Sequence, residues 1–436
     1  MALPGMFPQI KPGEVYADWT GSAIPPIHLI DQHHKYLGEN LIGNPHSHHR
    51  PSAEAMERVM STRAAILRYL HASPEEYEVI FGPGATAAIQ LVGQHYKWEG
   101  GEYLLTADNH NSVNGVREMA KRNGAVVRYA PITDDLVIDG NMLRRMLRFP
   151  RSTGNKLFAY PAKSNYSGVL HSLEWVGLAQ SLGWEVLLDA AAFNANKRLD
   201  LSVVKPDFVP FSFYKMFGFP TGLGCLVIRK SAFAKLAHKW FAGGSILLVA
   251  VMQDFYAPES LGYARFEHGT INFGQIPAIQ TGLQFMEDLG DGVGGHAVDL
   301  ATALYDELVN MKENSCSLLV HSPRGTDTVT FSMKSGDQIV DAWVFEQEAS
   351  KRGVFVRSGC FCNPGVNEKV FGYGIEAYAN LYNDAILPEA ITIEKLREFS
   401  DGKPIGAIRA SFGYANTVAD VVRFASVTRD ILRAEK

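Results

Sequence analysis

The sequence has few cysteines and no long apolar run, and both features exclude classes of protein. Nowhere do the roughly 18 consecutive apolar residues that a membrane-spanning helix needs occur together. The first residues lack the basic and apolar regions of a signal peptide. Four cysteines in 436 residues do not make a disulfide framework. The sequence therefore predicts a soluble, cytoplasmic protein without a membrane partner.

An excess of charge of one sign is also missing. The 41 basic and 46 acidic side chains nearly cancel, and no block of like charge stands out. Nucleic acid is therefore not an expected partner. An apolar content of 46% is ample for large buried cores in a chain of this length, for which two or three domains are expected. These features favour small-molecule chemistry.

Helical and strand-like segments alternate through the first half of the chain. Helical periodicity marks residues 54–70, 86–98, 112–123 and 173–182, and strand-like runs occupy 156–160, 185–189, 208–213 and 224–228. This alternation predicts an α/β fold whose large domain has a mostly parallel central sheet covered by helices. In such sheets ligands bind at the carboxyl ends of the strands.

After residue 290 the pattern predicts a smaller α/β domain. Its expected elements are a helix at 293–314, a strand at 328–333, a helix at 340–351, short strands at 354–356 and 407–411, and a helix at 417–432. The stretch 366–403 is rich in Gly, Tyr, Asn and Pro, which is typical of an excursion such as a lid.

The most informative segment is 212–224, an apolar run that reaches Lys215 and then turns through three glycines. Burial there lowers the pKa of an amine and makes it a nucleophile toward a carbonyl. Residues 185–189 form a second apolar run, which ends in Asp189. A carboxylate at this place can pair with a pyridinium nitrogen. The two strand ends together predict a site for pyridoxal 5′-phosphate (PLP).

Other polar residues fit the same cofactor. A glycine turn at 82–86 opens a helix whose free amides suit a phosphate, with hydroxyls from Thr86 and Ser212 in reach. A helix cap without a ligand is the alternative. His110 can stack on a flat ring, or be an ordinary surface histidine. Asn165 can bind a phenolic oxygen, or be a turn residue.

Two further signals concern a thiol loop and a buried cation. Cys360 and Cys362 lie between glycines and a proline on a loop expected to be mobile, where a nearby Arg or helix N-terminus can lower a thiol pKa. An incidental cysteine pair is the alternative, and zinc is not expected because no second ligand pair lies nearby. Arg409 lies inside an apolar strand, which requires an anionic partner. That partner is a substrate carboxylate or a structural carboxylate.

Taken in order, these segments resemble the fold type I PLP enzymes of aminotransferase class V. The likeness is strongest to the cysteine desulfurase domain of molybdenum cofactor sulfurases. It rests on the lysine segment 212–224, on Gly-Cys-Phe-Cys-Asn-Pro-Gly at 359–365, on Asn-Pro-His-Ser at 44–47 and on residues 266–273. It extends from about Asp18 to Arg423.

The resemblance implies a role for each candidate residue. Lys215 carries PLP, Asp189 pairs with the ring nitrogen, His110 stacks on the ring and Asn165 meets its phenolic oxygen. The other implied residues are Ala85, Thr86, Ser212 and Tyr214 at the cofactor, Thr270 reaching the phosphate from a second subunit, and Arg409, Asn44 and His46 at the substrate. A homodimer follows. The Ser-Gly-Ser-Ala-Cys loop of simple cysteine desulfurases, laid on 358–362, makes Cys362 the persulfide-forming residue and places Cys360 on a serine.

The implied domains are an N-terminal segment 1–30 that joins the small domain, a large PLP-binding domain 31–290 and a small domain 291–436. Ala192 and Tyr214 stand where simple desulfurases have Gln and His, and both fit the sulfurase pattern. Residues 366–367 are Val-Asn where sulfurases often have a third cysteine, so a second persulfide relay is not expected. The sequence stops before a molybdenum cofactor-binding domain, so direct delivery to that cofactor is not expected either.

The predicted function is a PLP-dependent cysteine desulfurase that acts on L-cysteine or a related sulfur amino acid. Its products are alanine and a persulfide on Cys362, from which sulfur passes to an acceptor. A PLP-dependent carbon–sulfur lyase that gives pyruvate, ammonia and a thiol is the main alternative. An aminotransferase or a non-catalytic scaffold are remoter ones.

Overall fold

The computed structural model describes residues 5–260, 262–373 and 404–435. The predicted excursion at 366–403 therefore lies largely outside the described residues. The helices are α1 Ile27–Glu39, α2 Arg50–Tyr69, α3 Ala85–His95, α4 Asn111–Arg122, α5 Gly140–Arg148, α6 Glu174–Ser181, α7 Tyr214–Phe217, α8 Ala278–Leu289, α9 Gly292–Leu308, α10 Ala342–Lys351, α11 Pro364–Phe371 and α12 Val418–Ala434.

The strands follow the same chain order. They are β1 Val15–Tyr16, β2 Tyr77–Gly82, β3 Glu102–Thr106, β4 Val126–Ala130, β5 Lys156–Pro161, β6 Glu185–Asp189, β7 Phe208–Ser212, β8 Gly224–Arg229, β9 Ile246–Ala250, β10 Phe255–Pro258, β11 Lys312–Glu313, β12 Cys316–Val320, β13 Thr328–Ser335, β14 Gln338–Ile339, β15 Val354–Phe355, β16 Arg357–Gly359 and β17 Ala407–Ser411.

Seven strands form the main sheet, in the order β2-β8-β7-β6-β5-β3-β4. Strand β8 is antiparallel to both of its neighbours, and the other adjacent pairs are parallel. The mostly parallel α/β sheet predicted from the sequence is confirmed. Its carboxyl ends, at β2, β3, β5, β6 and β7, open onto one edge of the sheet, where ligands are expected in this architecture.

Both faces of the central strands β3, β5, β6 and β7 are buried, so these strands are largely apolar. Leu104 and Phe158 belong to the apolar cluster on one face, together with residues of α2 and α8. Tyr103, Leu105 and Leu157 belong to the cluster on the other face, together with residues of α3 and α4. Alternate residues of one strand point to opposite faces, which explains this division.

A second sheet has the order β11-β12-β13-β17-β16, with β14 on β13, and every pair in it is antiparallel. Its apolar cluster includes α9, α10 and α12, and Val15 and Ala17 from the start of the chain. The helix predicted to reach residue 314 is wrong at its end, since α9 stops at Leu308. Asn314 takes a φ of 54° in the turn between β11 and β12, a conformation that asparagine tolerates. The domain boundaries at 30 and 290 stay a prediction.

None of the helices within the described ranges is both long enough and apolar enough to span a bilayer.

The short helix α7, which carries Lys215, packs against α8. A Cβ on Gly282 of α8 would lie 2.3 Å from the ring of Phe217. The position of the lysine therefore depends on a glycine in the neighbouring helix.

Gly282→Ala is expected to destabilise the protein by about 1–3 kcal/mol, because the added methyl group overpacks the α7–α8 contact. Gly177→Ala in α6 is the matched control, since no atom lies within 4 Å of its new Cβ. The control is expected to be neutral or to stabilise by about 0.5–1 kcal/mol through helix propensity. Chemical denaturation of the two variants measures the difference, and equal stabilities would contradict the packing described.

Candidate active site

A cavity opens at the carboxyl ends of the central strands and collects most of the predicted residues. Its lining includes Ala85, Thr86, His110, Ser112, Lys163, Asn165, Asp189, Ser212, Tyr214, Lys215 and Asn363. They come from the ends of β5, β6 and β7, from the first turns of α3 and α4, and from the thiol loop. The predicted strand-end lysine and aspartate therefore share one cavity.

Lys215 lies just after β7, in the single turn of α7 that Gly218 ends with a φ of 77°. Its Nζ donates to Asn165 Oδ1 at 3.4 Å. Burial lowers the pKa of the Lys215 amine to about 8, against the opposing effect of the Asp189 carboxylate. About a tenth of the amine is therefore neutral at pH 7, far more than for an ordinary lysine, and the neutral form is the nucleophile.

The rate at which Lys215 captures an aldehyde coenzyme is expected to rise with pH and to level off above about 8. Only the neutral amine attacks, and its fraction falls about tenfold for each pH unit below the pKa. The measurement is the absorbance change after PLP is mixed with coenzyme-free protein at a series of pH values. A rate that keeps rising to the ordinary lysine pKa of 10.5 would contradict this environment.

Asp189 ends β6 and is 7% exposed. Its Oδ1 accepts from the Ala191 amide at 2.9 Å, which fixes the carboxylate at the cavity wall. A buried carboxylate beside a cavity suits a cationic ring nitrogen, because the pair then neutralises both charges.

The first turn of α3 forms a cradle of amides and hydroxyls. Gly84 precedes it with a φ of 142°, which an L side chain rarely adopts. The Ala85 amide donates to Ser212 Oγ at 2.8 Å, and Thr86 Oγ1 lies 2.8 Å from Ser112 Oγ. Such a helix N-terminus binds phosphate through free amides and its positive dipole end.

His110 caps helix α4 beside this cradle. Its Nδ1 accepts from the Ser112 amide at 3.1 Å, which fixes the orientation of the ring. Burial lowers the pKa of His110 below its usual value, with Asp189 opposing this shift. A neutral, fixed imidazole in the cavity wall suits stacking on a flat cofactor.

Asn165 joins the lysine to the thiol loop. Besides its contact with Lys215, its Nδ2 donates to the Phe361 carbonyl at 2.7 Å. Its own carbonyl accepts from Arg409 Nη1 at 2.7 Å. One residue therefore touches the amine, the backbone between the two loop cysteines and the buried cation.

The thiol loop is anchored, where the sequence predicts a mobile loop. Phe361 is 6% exposed, with its ring 5.1 Å from that of Tyr166 and 4.7 Å from the Arg409 guanidinium. The carbonyl of Cys362 accepts from the Asn111 amide at 2.7 Å. Cys362 is exposed and Cys360 half-buried. The loop therefore holds its backbone against the cavity and leaves one thiol open to solvent.

Arg409 has a structural carboxylate partner. It is 1% exposed, and its Nη2 donates to Asp18 Oδ1 at 2.9 Å. Asp18 also binds Arg357, with an Nη2–Oδ2 distance of 2.8 Å. The ion-pair alternative for Arg409 is thus realised, and its role toward a substrate carboxylate stays a prediction.

Five predicted residues are not part of the cavity lining within this chain, namely Cys362, Arg409, Thr270, Asn44 and His46. Thr270 is exposed and lines a separate cavity of about 430 Å³ with Trp240. Asn44 and His46 are exposed between α1 and α2, where the His46 amide donates to Asn44 Oδ1 at 3.1 Å. Their roles at the site, including that of Thr270 in a second subunit, stay predictions.

Sequence reasoning missed Lys163, a second lysine of the cavity wall. It is 2% exposed, and its Nζ lies 2.5 Å from Asp327 Oδ2. Asn196 donates to the same oxygen at 2.9 Å. Its position just after β5 was the available signal, because polar residues at parallel strand ends face the ligand site. The Lys163 amine therefore forms an ion pair with Asp327, whereas the Lys215 amine contacts the amide oxygen of Asn165.

The aminotransferase class-V family model matches residues 15–424. The chain belongs to the aminotransferase class V family. It is 33% identical over 451 residues to a molybdenum cofactor sulfurase of Bos taurus, covering 96% of this chain and 50% of that protein. A molybdenum cofactor sulfurase of Solanum lycopersicum is also 33% identical, over 458 residues covering 94% of this chain and 54% of the relative. The chain thus spans about half the length of these curated relatives.

Solved structures of the same fold include cysteine desulfurases. That of Thermococcus onnurineus has a TM-score of 0.77 at 20% identity, covering 99% of this chain and 100% of that one. That of Escherichia coli has a TM-score of 0.78 at 19% identity, covering 98% and 96%. A C-DES variant with glycine covalently linked to PLP has a TM-score of 0.72 at 17% identity, covering 98% of both chains. The expected family and the PLP fold type I architecture are confirmed.

The cofactor of this family is PLP, and the cavity fits it. A lysine with a lowered pKa, a buried carboxylate and a cradle of amides and hydroxyls face one space. Lys215 would hold the aldehyde, Asp189 the ring nitrogen, and Thr86 and Ser212 the phosphate. When bound, PLP supplies an electron sink for charge that develops on a substrate carbon. The Lys215 amine, with a pKa lowered to about 8, would be able to take up a proton near neutral pH.

Proposed function

We propose that this protein is a cysteine desulfurase that takes sulfur from L-cysteine or a related sulfur amino acid. The observation that carries the proposal is the bridge through Asn165. Its side chain contacts the Lys215 amine on one side and the Phe361 carbonyl, next to Cys362, on the other. This contact between the thiol loop and the lysine cavity supports a role for the loop in chemistry on an amino-acid substrate.

The proposed reaction uses the chain's own groups in sequence. Lys215 accepts the α-proton of the substrate. Asp189 stabilises the positive charge on the ring nitrogen of the coenzyme. The Cys362 thiolate then attacks the substrate sulfur and the Cβ–S bond breaks. Its electron pair stays on carbon and takes up a proton, so the products are alanine and a persulfide on Cys362. The persulfide sulfur is then passed to an acceptor.

The same proposal extends to the assembly and the place of action. We infer a cytoplasmic homodimer in which Thr270 of one subunit approaches the phosphate cradle of the other. The exposure of Thr270 is consistent with such a contact. Arg409, Asn44 and His46 are proposed to contact the substrate.

Product analysis with L-cysteine tests the proposal. The wild-type protein should release alanine and carry protein-bound sulfur that a reductant removes. Cys362→Ala should lose both products, whereas the matched loop variant Cys360→Ala should keep them. Pyruvate and ammonia as products, with full activity in Cys362→Ala, would instead identify a carbon–sulfur lyase. Absence of any product with L-cysteine and other sulfur amino acids would favour a scaffold.

A further inference from the structure

One buried carboxylate outside the described chemistry ties three loops of the site together. Asp108 is fully buried and accepts three hydrogen bonds. Its Oδ2 lies 2.7 Å from His171 Nε2, and its Oδ1 accepts from Ser164 Oγ at 3.0 Å and from Asn363 Nδ2 at 2.5 Å. A buried carboxylate with several hydrogen bonds restricts the arrangement of the groups that donate to it.

The partners of Asp108 adjoin residues with proposed roles. Ser164 precedes Asn165, Asn363 follows Cys362, and Asp108 itself lies two residues before His110. Displacement of this carboxylate would therefore be felt by the lysine contact, by the stacking histidine and by the thiol loop. The hydrogen bond from Asn363 to Asp108 joins residues that are far apart in the sequence, so the local structure of the thiol loop does not account for it.

The side chain of Asn363 bonds to Asp108 instead of capping its own helix. It occupies the N-cap position of α11, where an asparagine side chain ordinarily accepts from the first amides of the helix. Here the side chain makes no cap bond and donates to Asp108 instead. Two residues on, a Cβ at Gly365 would lie 2.2 Å from the Ala107 carbonyl oxygen, so the loop backbone also docks closely there.

The backbone of the thiol loop needs such anchors. Phe361 and Cys362 have φ values of 53° and 55°, a sparsely populated region for residues with side chains. Conformations of this kind persist only where the surroundings impose them. The Asp108–Asn363 bond, with the Asn111 amide on the Cys362 carbonyl, supplies the constraint on the cysteine side of the loop.

We propose that Asp108 is a positioning residue that acts through Asn363 to hold Cys362 in the orientation from which its thiol reaches the substrate sulfur. The proposal rests on the proposed desulfurase function for its kinetic consequence. Its structural consequence, a fixed Cys362, does not depend on that function and is measured separately.

The test uses coenzyme-loaded protein and variants from both ends of the bond, Asn363→Ala and Asp108→Asn. The first readout is the ratio of alkylation rates of Cys362 and Cys360 with iodoacetamide, obtained by mass spectrometry without substrate. Loss of the bond is expected to change this ratio by about threefold to tenfold, the equivalent of one hydrogen bond. Gly365→Ala, which pushes the loop from Ala107, should change it too. Ser358→Ala, which loses only a bond to Glu346, should not.

The second readout is kinetic. For alanine formation, kcat should fall about tenfold or more in Asn363→Ala, with KM for L-cysteine nearly unchanged, because only the attack by the thiol is impaired. The double variant should be no worse than Asp108→Asn alone, since Asn363 is proposed to act through its bond with Asp108. A wild-type protein that forms no alanine would refute the desulfurase proposal. The alkylation ratio would then still test whether Asp108 positions Cys362.

The third readout is hydrogen exchange at the amide of Asn111. Asn111 is the first residue of α4, so its amide has no acceptor within the helix, and protection from hydrogen exchange must come from the Cys362 carbonyl. Protection of this amide in the wild type, lost in a folded Asn363→Ala, supports the proposal. An unprotected Asn111 amide in the wild type would overturn it. So would wild-type alkylation ratios in folded Asn363→Ala and Asp108→Asn proteins when Gly365→Ala shifts the ratio.

Discussion

Lys215→Ala is expected to lower kcat/KM by about 10⁴-fold or more, because one change removes both the proposed covalent anchor of the coenzyme and the proposed proton acceptor. The protein should stay folded, since the lost amine is buried and its burial opposes its charge. The steady-state rate of alanine or pyruvate formation measures the effect in either enzymatic reaction. PLP should still bind, through the cradle at α3, but without a covalent bond to the protein.

A small primary amine provides the control for this prediction. Added ethylamine can enter the space left by the side chain and accept the proton, so it should restore part of the activity of Lys215→Ala. It should not stimulate the wild-type protein. Retention of more than about a tenth of the wild-type rate without added amine would contradict the role of Lys215 as the proton acceptor.

Asp189→Asn is expected to lower kcat by about 100-fold to 1000-fold, with PLP still bound at Lys215. In the proposed site the carboxylate would stabilise positive charge on the coenzyme ring at low dielectric, and a neutral amide would not replace it. Asp189 also raises the pKa of the Lys215 amine. Its removal should therefore lower that pKa, and the pH at which aldehyde capture levels off should move below about 8.

Asp207→Asn is the matched control for this change. Asp207 is also 7% exposed, but it lies before β7, at the opposite end of the sheet, and accepts from the Val186 amide at 2.8 Å. Its replacement should affect stability and leave the pH profile of aldehyde capture unchanged. Identical pH profiles for Asp189→Asn and the wild type would show that Asp189 does not act on Lys215.

The elements of the main sheet were predictable because their signals are local. Strand β6 runs from Glu185 to Asp189 as expected, since a buried parallel strand is a continuous apolar run. Helices α2, α3, α4 and α6 begin and end within a few residues of their predicted bounds. Strand β12 was missed, because its five residues follow a helical pattern and gain their order from pairing with β13. Such pairing is a long-range contact that periodicity does not reveal.

The residues of the candidate site also divide into those with a local sequence signal and those that depend on long-range contacts. Lys215, Asp189 and the cradle at α3 were predictable because each lies where a strand ends or a helix begins. The burial of Phe361 and the ion pair of Lys163 with Asp327 were not, because their partners lie far away in the sequence. For Arg409, the sequence indicated a required anion but not which one.

Borohydride reduction of the PLP-loaded protein, followed by mass spectrometry of its peptides, tests the central claim most directly. The cavity wall holds two lysines, Lys163 and Lys215, and Lys163 forms an ion pair with Asp327. A single pyridoxyl adduct is expected, on the peptide that contains Lys215. An adduct on Lys163, or no adduct on either lysine, would contradict it.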